Sequence, residues 1–361
     1  MLNYYNTINI STNAGQDADT SVLVIYTGGT IGMDYDPSGK YLIPLDFSQI
    51  LKKIPELSRF DIEITVLPFE QPIDSSDIKI HHWLNLARTI YDFYQDFDAF
   101  VILHGTDTMS YTASALSFLL ENLGKPVIFT GSQLPIGARR TDARENLISA
   151  LEIAASKHQD GRPLVPEVSI FFANLLLRGN RSRKAQSFDF TAFESENYPP
   201  LASAGIKIEY NHNLIAEYPT ESFDFFRHLD GNVTFLTLFP GIQNNYIDYL
   251  LHMDGLKGVV LKTFGSGNAP SENGFISVIE SAIQRGIYVY NVSQCSGGSV
   301  VQGMYGTSRR LRDIGVISGG DITPEAAITK MMFLLGNTQN HELIRRRLAE
   351  PMRGEMDRQR K

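Results

Sequence analysis

VILHGTDTM, Val101 to Met109, is the stretch on which the reading of this chain turns. The apolar run Ala99 to Leu103 predicts a buried parallel strand, stopped at His104-Gly105. Thr106-Asp107-Thr108 follow. Met109, Leu116, Leu119, Leu120 and Leu123 then share one face at helical spacing. Thr106 and Asp107 therefore fall in a turn between a strand's carboxyl end and a helix's amino end. Open α/β sheets bind small molecules at such edges, and the N–H groups and dipole of the helix favour an anion there. The competing use of Asp107 or Thr108 is as a helix N-cap. Working outward, Val22 to Tyr26 repeats the arrangement and runs into Thr27-Gly28-Gly29-Thr30. Two strand-end threonines suit a site in which one hydroxyl attacks and another group positions water or relays a proton.

The 361 residues suit about two domains, and 43% hydrophobic content supports a sizeable core. A formal charge of -8 argues against nucleic acid as a partner, because phosphate binding draws on clustered Lys and Arg. The basic C-terminal end, Arg345 to Lys361, reads as a solvated, partly frayed tail. Cys295 is the one cysteine, which fits a reducing compartment and removes any cysteine-based zinc site. Met1 to Thr20 has no Lys or Arg and no apolar centre, so it reads as a disordered leader and not as a secretory signal. No apolar run approaches the roughly 18 residues of a membrane span. The expected location is the cytoplasm.

Strands and helices alternate along the chain, which gives an α/β class. We expect a leader over 1–20 and a large N-terminal α/β domain over 21–208, with a mainly parallel, doubly wound sheet. A linker over 209–231 and a smaller C-terminal α/β domain over 232–361 complete it. Ile31 to Pro44 reads as a hairpin or loop around Asp36-Pro37-Ser38-Gly39, with Tyr41, by residue type a surface aromatic, at its far end. Ser48 to Leu57 reads as a short helix and Ile62 to Phe69 as a strand. One of Ser75, Ser76 or Asp77 caps the helix through Trp83, Leu86, Ile90 and Phe93, which leaves a hydroxyl for a ligand. Val127 to Thr130 runs into Gly131-Ser132-Gln133, a third polar strand end. The run Arg178 to Lys184 reads as a solvated face, unless its lysine is held near Asp107.

Several familiar sites are absent from the string. There is no GxxxxGK[ST] phosphate loop, no GxGxxG, no HExxH and no GxSxG elbow. His81 and His82 are adjacent, and neighbours on a helix point apart. What remains is threonine, serine, tyrosine, lysine and aspartate at the ends of parallel strands. A threonine hydroxyl needs a base and donors for the developing oxyanion. A ligand carboxylate suits a helix N-terminus beside Ser75 and Ser76, and a ligand ammonium suits Asp107. Residue type alone reaches a small zwitterion and acyl transfer.

YTGGTIGM (Tyr26 to Met33), DSSD (Asp74 to Asp77), HGTDTMSYTASALSFLLENLGKPVI (His104 to Ile128), TGSQLP (Thr130 to Pro135), RGNRSRKA (Arg178 to Ala185) and GSGNAP (Gly265 to Pro270) carry a likeness over nearly everything after residue 20. In these the chain resembles the bacterial L-asparaginases, specifically the cytoplasmic type I form. The resemblance implies hydrolysis of L-asparagine to L-aspartate and ammonia through a covalent threonyl ester, without cofactor or metal. It implies Thr30 as nucleophile and Tyr41, after a loop-length adjustment, as the tyrosine that closes on the substrate. Ser75, with Ser76 beside it, would hold the substrate α-carboxylate. Thr106, Asp107 and Lys184 would form a second triad, Asp107 also binding the α-amino group. Asn268 corresponds to a residue lent to a neighbouring subunit, which implies a homodimer or homotetramer. Secreted type II members also lend a carboxylate, for which no counterpart is evident. Some type I members bind asparagine at a second, regulatory site near the segment Asn291 to Cys295. Cys295 is otherwise expected to be a small buried core residue, with Arg183 and Lys262 as cations near that region. The rival readings are an ammonia-generating subunit of a tRNA-dependent amidotransferase and a non-catalytic amino-acid sensor.

Overall fold

Apolar β-branched and aromatic runs, bounded by glycine and short polar turns, build the strands. The computed structural model describes residues 7–11, 18–36, 38, 40–271, 273–303 and 306–358. The chain divides into two compact units, Met1–Phe225 and Phe226–Lys361.

In the first unit the strands are β1 Ile8–Ser11, β2 Ser21–Tyr26, β3 Met33–Tyr35, β4 Leu42–Pro44, β5 Glu63–Pro68, β6 Ala99–Leu103, β7 Leu120–Glu121, β8 Val127–Thr130, β9 Val168–Phe172, β10 Leu175–Arg178, β11 Arg183–Lys184, β12 Phe193–Glu194, β13 Ala202–Ala204, β14 Ile208–Tyr210 and β15 Asp224–Phe225. Its helices are α1 Ile50–Lys53, α2 Ile80–Phe93, α3 Met109–Leu119 and α4 Ala143–Ala155. Among the described residues the main sheet runs β1-β5-β2-β6-β8-β9-β10-β13-β14. The neighbours from β5 to β9 are parallel, and both edges are antiparallel. The α/β class expected from the sequence is the one found, with a large sheet that is parallel at its centre and antiparallel toward both edges. The central strands β6 and β8 are buried along their whole length, which is why they read as continuous apolar runs.

This order fixes where a ligand can sit. β2 pairs with β5 on one side and β6 on the other, so the chain reverses its direction of travel across β2. Pockets form at the carboxyl ends of strands at such a switch point. The register aligns Pro68, Tyr26, Leu103 and Thr130 in one row. The loops that follow them leave from the same edge.

The second unit has a smaller parallel sheet, β16 Val233–Thr237, β17 Gly258–Thr263, β18 Tyr288–Ser293 and β19 Ile317–Ser318, paired in that order. Helices α5 Asn244–Leu251, α6 Asn273–Gln284, α7 Gly306–Asp313, α8 Pro324–Asn337 and α9 His341–Ala349 accompany it. Among the described residues no helix is long and apolar enough to cross a membrane.

Several local expectations change. Ile8–Ser11, inside the segment read as a disordered leader, is a strand on β5, because Ile10 finds a place in the core at 5% exposure. The remainder of that leader lies largely outside the described residues. The helix after Met109 stops at Leu119, since Leu120 turns extended and pairs with β15. The Ser48 to Leu57 helix is divided into α1 and a 3₁₀ turn at Pro55–Arg59, where proline cannot continue the hydrogen-bond ladder. The stretch 209–231 contains the end of β14 and all of β15.

The C-terminal end departs most from its reading as a frayed tail. Glu355 is fully buried against Lys330 of α8, Nζ to Oε1 2.7 Å. Lys330 also donates to the carbonyls of Leu348 and Glu350 at 3.2 and 2.7 Å. Glu355 accepts from the N–H groups of Met352 and Arg353. Burial pushes its carboxyl up, but Lys330 and these donors outweigh that and hold it below its ordinary value. Removing one member of a buried pair leaves an uncompensated charge, at a cost of about 3–5 kcal/mol. Glu355→Gln should therefore lose that much stability in urea denaturation. The double variant Lys330→Met/Glu355→Leu should recover most of it; equal losses would assign the effect to packing.

Candidate active site

Glycine decides the first contact. Gly28 and Gly29 have φ of +139° and +88°, conformations that side chains rarely adopt. A methyl group on Gly29 would sit 2.5 Å from the Gly105 nitrogen and 2.6 Å from its Cα. The backbone before Thr30 thus lies directly on the backbone before Thr106. Hydrogen bonds fix this approach. Thr27 donates its N–H and its hydroxyl to the Leu103 carbonyl, each at 3.0 Å, and the His104 N–H reaches the Thr130 carbonyl at 3.0 Å.

Ser75 joins from the loop after β5. The Ile73 N–H binds the Thr27 carbonyl at 2.8 Å. The Thr108 hydroxyl donates to the Ser75 carbonyl at 2.6 Å. A Cβ on Gly105 would lie 2.6 Å from the Ser75 hydroxyl oxygen, so that buried hydroxyl covers Gly105. Ser76 is turned outward and exposed, its hydroxyl on the Asp74 carboxylate at 2.9 Å. The loop after β8 completes the edge, because Gly131 approaches the Thr106 methyl. Asp142 accepts the N–H groups of Gln133 and Leu134 and holds that loop.

Lys184 is brought in by the antiparallel pair β11–β12, where it faces Phe193. Phe193 packs on Phe172 of β9, ring centroids 5.0 Å apart, which anchors the pair to the sheet. Lys184 Nζ lies 2.7 Å from the Thr106 hydroxyl oxygen and 2.7 Å from Asp107 Oδ1. The ammonium side is largely covered, at 16% exposure, while Asp107 is 63% exposed. Asp107 is therefore open to a ligand even with the lysine in place. The rest of the basic run is not the solvated face expected. Arg178 and Arg181 are buried over the Tyr198 ring, at 4.6 and 4.9 Å from its centroid. Arg178 also bonds Glu167 at 2.6 Å, and this pairing allows the charges inside.

Two candidates belong to other elements. Tyr41 is 70% exposed at the outer end of the β3–β4 hairpin. Its backbone is tied to Asp36, and no hydrogen bond joins its ring to the other candidates among the described residues. Asn268 belongs to the second unit, half-buried in a tight turn closed by paired bonds with Phe264 at 2.8 and 2.9 Å. Cys295 is exposed and not the small core residue expected, because it lies just beyond the end of β18 in a glycine-rich bend.

Two groups escaped the sequence reading. Tyr26 lies under the TGGT turn, its hydroxyl 3.2 Å from the Gly32 carbonyl. Burial pushes its pKa up to about 12, so it is a structural phenol and no proton carrier at neutral pH. His104 stands inside the decisive stretch, fully buried, with Nδ1 2.7 Å from the Gly105 carbonyl oxygen and Nε2 3.0 Å from the Thr112 hydroxyl. Burial draws its pKa down to about 4. Its place directly before Gly105 was the available signal.

The class this defines is an α/β protein whose polar side chains gather at the switch-point edge of its main sheet, with a lysine-linked threonine beside a second threonine turn. Residues 21–216 match the asparaginase N-terminal domain, and residues 232–348 match the glutaminase/asparaginase C-terminal domain. The chain belongs to the asparaginase family. It is 40% identical over 337 residues to L-asparaginase 1 of Escherichia coli K12, covering 93% of this chain and 98% of that one. The solved L-asparaginase I of Vibrio cholerae superposes with a TM-score of 0.84 at 40% identity, over 94% of this chain and all of that one. A glutamyl-tRNA(Gln) amidotransferase component from Pyrococcus abyssi is 33% identical over 354 residues, covering 95% of this chain and 78% of that protein.

His104 gives the fold a pH dependence of known sign. The unfolded chain binds a proton near the ordinary value of 6.5, while the folded chain resists until about 4. Unfolding takes up protons in that interval, so stability is full above 6.5 and declines as pH falls toward 4. Between pH 7 and 5 this amounts to about 2 kcal/mol. Unfolding free energies from urea titration at the two pH values should differ by that much more in the native chain than in His104→Asn; an equal difference would count against the assignment.

Proposed function

We propose that this chain hydrolyses L-asparagine to L-aspartate and ammonia through an ester on Thr30. The observation that carries the reading is the Lys184–Thr106–Asp107 constellation, held at 2.7 Å on both arms, on a loop whose backbone touches that of the Thr30 loop. An amide is a poor electrophile, and catalysis needs an activated hydroxyl, a proton source for the leaving nitrogen and donors for the oxyanion. The Thr30 hydroxyl oxygen forms a bond to the side-chain amide carbon and gives up its proton. The carbon–nitrogen bond breaks, and the nitrogen leaves as ammonia with that proton added. Water then attacks the ester carbon, the Thr30 oxygen regains a proton, and L-aspartate is released. Lys184 and Thr106 position the water and relay the proton.

The ends of the substrate fit the same edge. Asp107, being open to solvent, accepts the α-ammonium. The Ser75 hydroxyl, above Gly105, meets the α-carboxylate, and Ser76 lies next to it. Tyr41 reaches this edge by movement of the β3–β4 hairpin. In this reading residues 21–208 carry the chemistry, and Asn268 of 232–361 serves a second copy in a homo-oligomer. The sole cysteine fits a cytoplasmic setting. A greater identity to the E. coli L-asparaginase than to the amidotransferase component favours this reading over its rival.

Thr30→Ala should release no measurable ammonia from L-asparagine while its circular dichroism matches that of the native chain; ordinary turnover would remove Thr30 from the mechanism. Lys184→Met should lower kcat by about 10²–10⁴-fold, the usual contribution of a positioned proton-transfer group, with KM changed far less. A kcat within a factor of about two of the native value would leave the lysine a purely structural role.

A further inference from the structure

Behind the decisive turn lies a line of polar groups that the proposed chemistry does not use. Trp83 of α2 is the one tryptophan of the chain. Its indole N–H donates to the Thr112 hydroxyl oxygen of α3 at 3.0 Å. That hydroxyl lies 3.0 Å from His104 Nε2 and 3.3 Å from the Thr108 carbonyl. His104 Nδ1 in turn lies 2.7 Å from the Gly105 carbonyl oxygen. Trp83, Thr112 and His104 are all buried.

We propose that His104 is a positioning residue for the Thr106 side of the site, holding the Gly105–Thr106 peptide through its Nδ1–H. The proton assignment follows from chemistry. A carbonyl oxygen only accepts, so Nδ1 carries the hydrogen. With the ring neutral, Nε2 must accept, and the Thr112 hydroxyl supplies the proton. The indole N–H fills a lone pair of that hydroxyl. Every group in the line is then satisfied in one direction: indole to hydroxyl, hydroxyl to imidazole, imidazole to carbonyl. The ring bonds Gly105 and Thr112 and meets the Phe129 ring in an edge-on arrangement, centroids 5.9 Å apart.

The Gly105 carbonyl and the Thr106 N–H belong to one planar trans peptide. Fixing the carbonyl toward His104 directs the Thr106 N–H the opposite way. It also sets the origin from which the Thr106 hydroxyl reaches Lys184. Gly105 itself cannot supply this restraint, because glycine is the least restricted residue in the chain. Three helical and strand-end elements converge to hold one flexible peptide.

This inference rests on the amide-hydrolysis reading, and its test separates the two. Ammonia release from L-asparagine is measured for the native chain, His104→Leu, His104→Asn and Thr112→Val. The ¹⁵N–¹H resonances of histidine and tryptophan are recorded without substrate. Leucine should lower kcat about 100-fold with KM within about threefold, the scale of a slight misplacement of a reacting group. Asparagine, which keeps an N–H at the δ position, should restore at least about tenfold of that loss. Thr112→Val should lower kcat by roughly tenfold and move the Trp83 indole resonance. The free chain should show a protected proton on Nδ1 and a bare Nε2. A near-native kcat in the leucine variant, no recovery by asparagine, or a proton on Nε2 would overturn the proposal. Should the leucine variant not fold, Thr112→Val decides: normal kcat with an unmoved indole signal rejects it. If the native chain releases no ammonia, the functional reading falls, and a proton on Nδ1 keeps the line of bonds while one on Nε2 rejects it.

Discussion

Two loop backbones meet at Gly29 and Gly105 with no room for a methyl group between them. The site depends on that contact. Adjacent parallel strands already bring their ends within about 5 Å, but two ordinary loops would diverge from there. Glycine at the point of closest approach removes the obstruction, and a threonine follows immediately on each side. Ser75 then fills the remaining space over Gly105. A side chain at either glycine would push apart the two threonine turns that the proposed chemistry brings together.

Among the described residues, two of the lysine–carboxylate pairs share one separation and have opposite surroundings. Lys184 and Asp107 are 2.7 Å apart, with the acid mostly in solvent. Lys330 and Glu355 are also 2.7 Å apart, with neither accessible. The second pair has all its partners in place and nothing left for a ligand. The first leaves a carboxylate facing water, open to the ammonium that the proposed reading assigns to it. Exposure, and not distance, separates a site from a clasp here.

The central strands and the two threonine turns were legible because apolar runs ending in glycine and hydroxyl residues have few other uses. Thr30, Thr106, Asp107 and Ser75 could be placed at one edge from that pattern and the resemblance. Lys184 could not be placed by pattern, since a cation in a basic run is ordinarily solvated, and only the β11–β12 pairing turns it inward. Arg178 and Arg181 were misread for the same reason; their partners Glu167 and Tyr198 are remote in the string or unremarkable by type. His104 was passed over because it read only as the stop of the apolar run, and its partners Thr112 and Trp83 lie on two separate helices. The C-terminal end misled by composition. Its charge is high, but one glutamate goes fully inside.

The short β1 has a bearing on handling that its four residues do not suggest. It covers the outer side of β5, and a bare strand there would offer a row of unsatisfied amides to any extended chain nearby. Removing β1 would leave the edge that carries Thr30 and Thr106 untouched and convert a sealed flank into an adhesive one. Loss of solubility, with specific activity intact, is the signature such a shortened protein would carry.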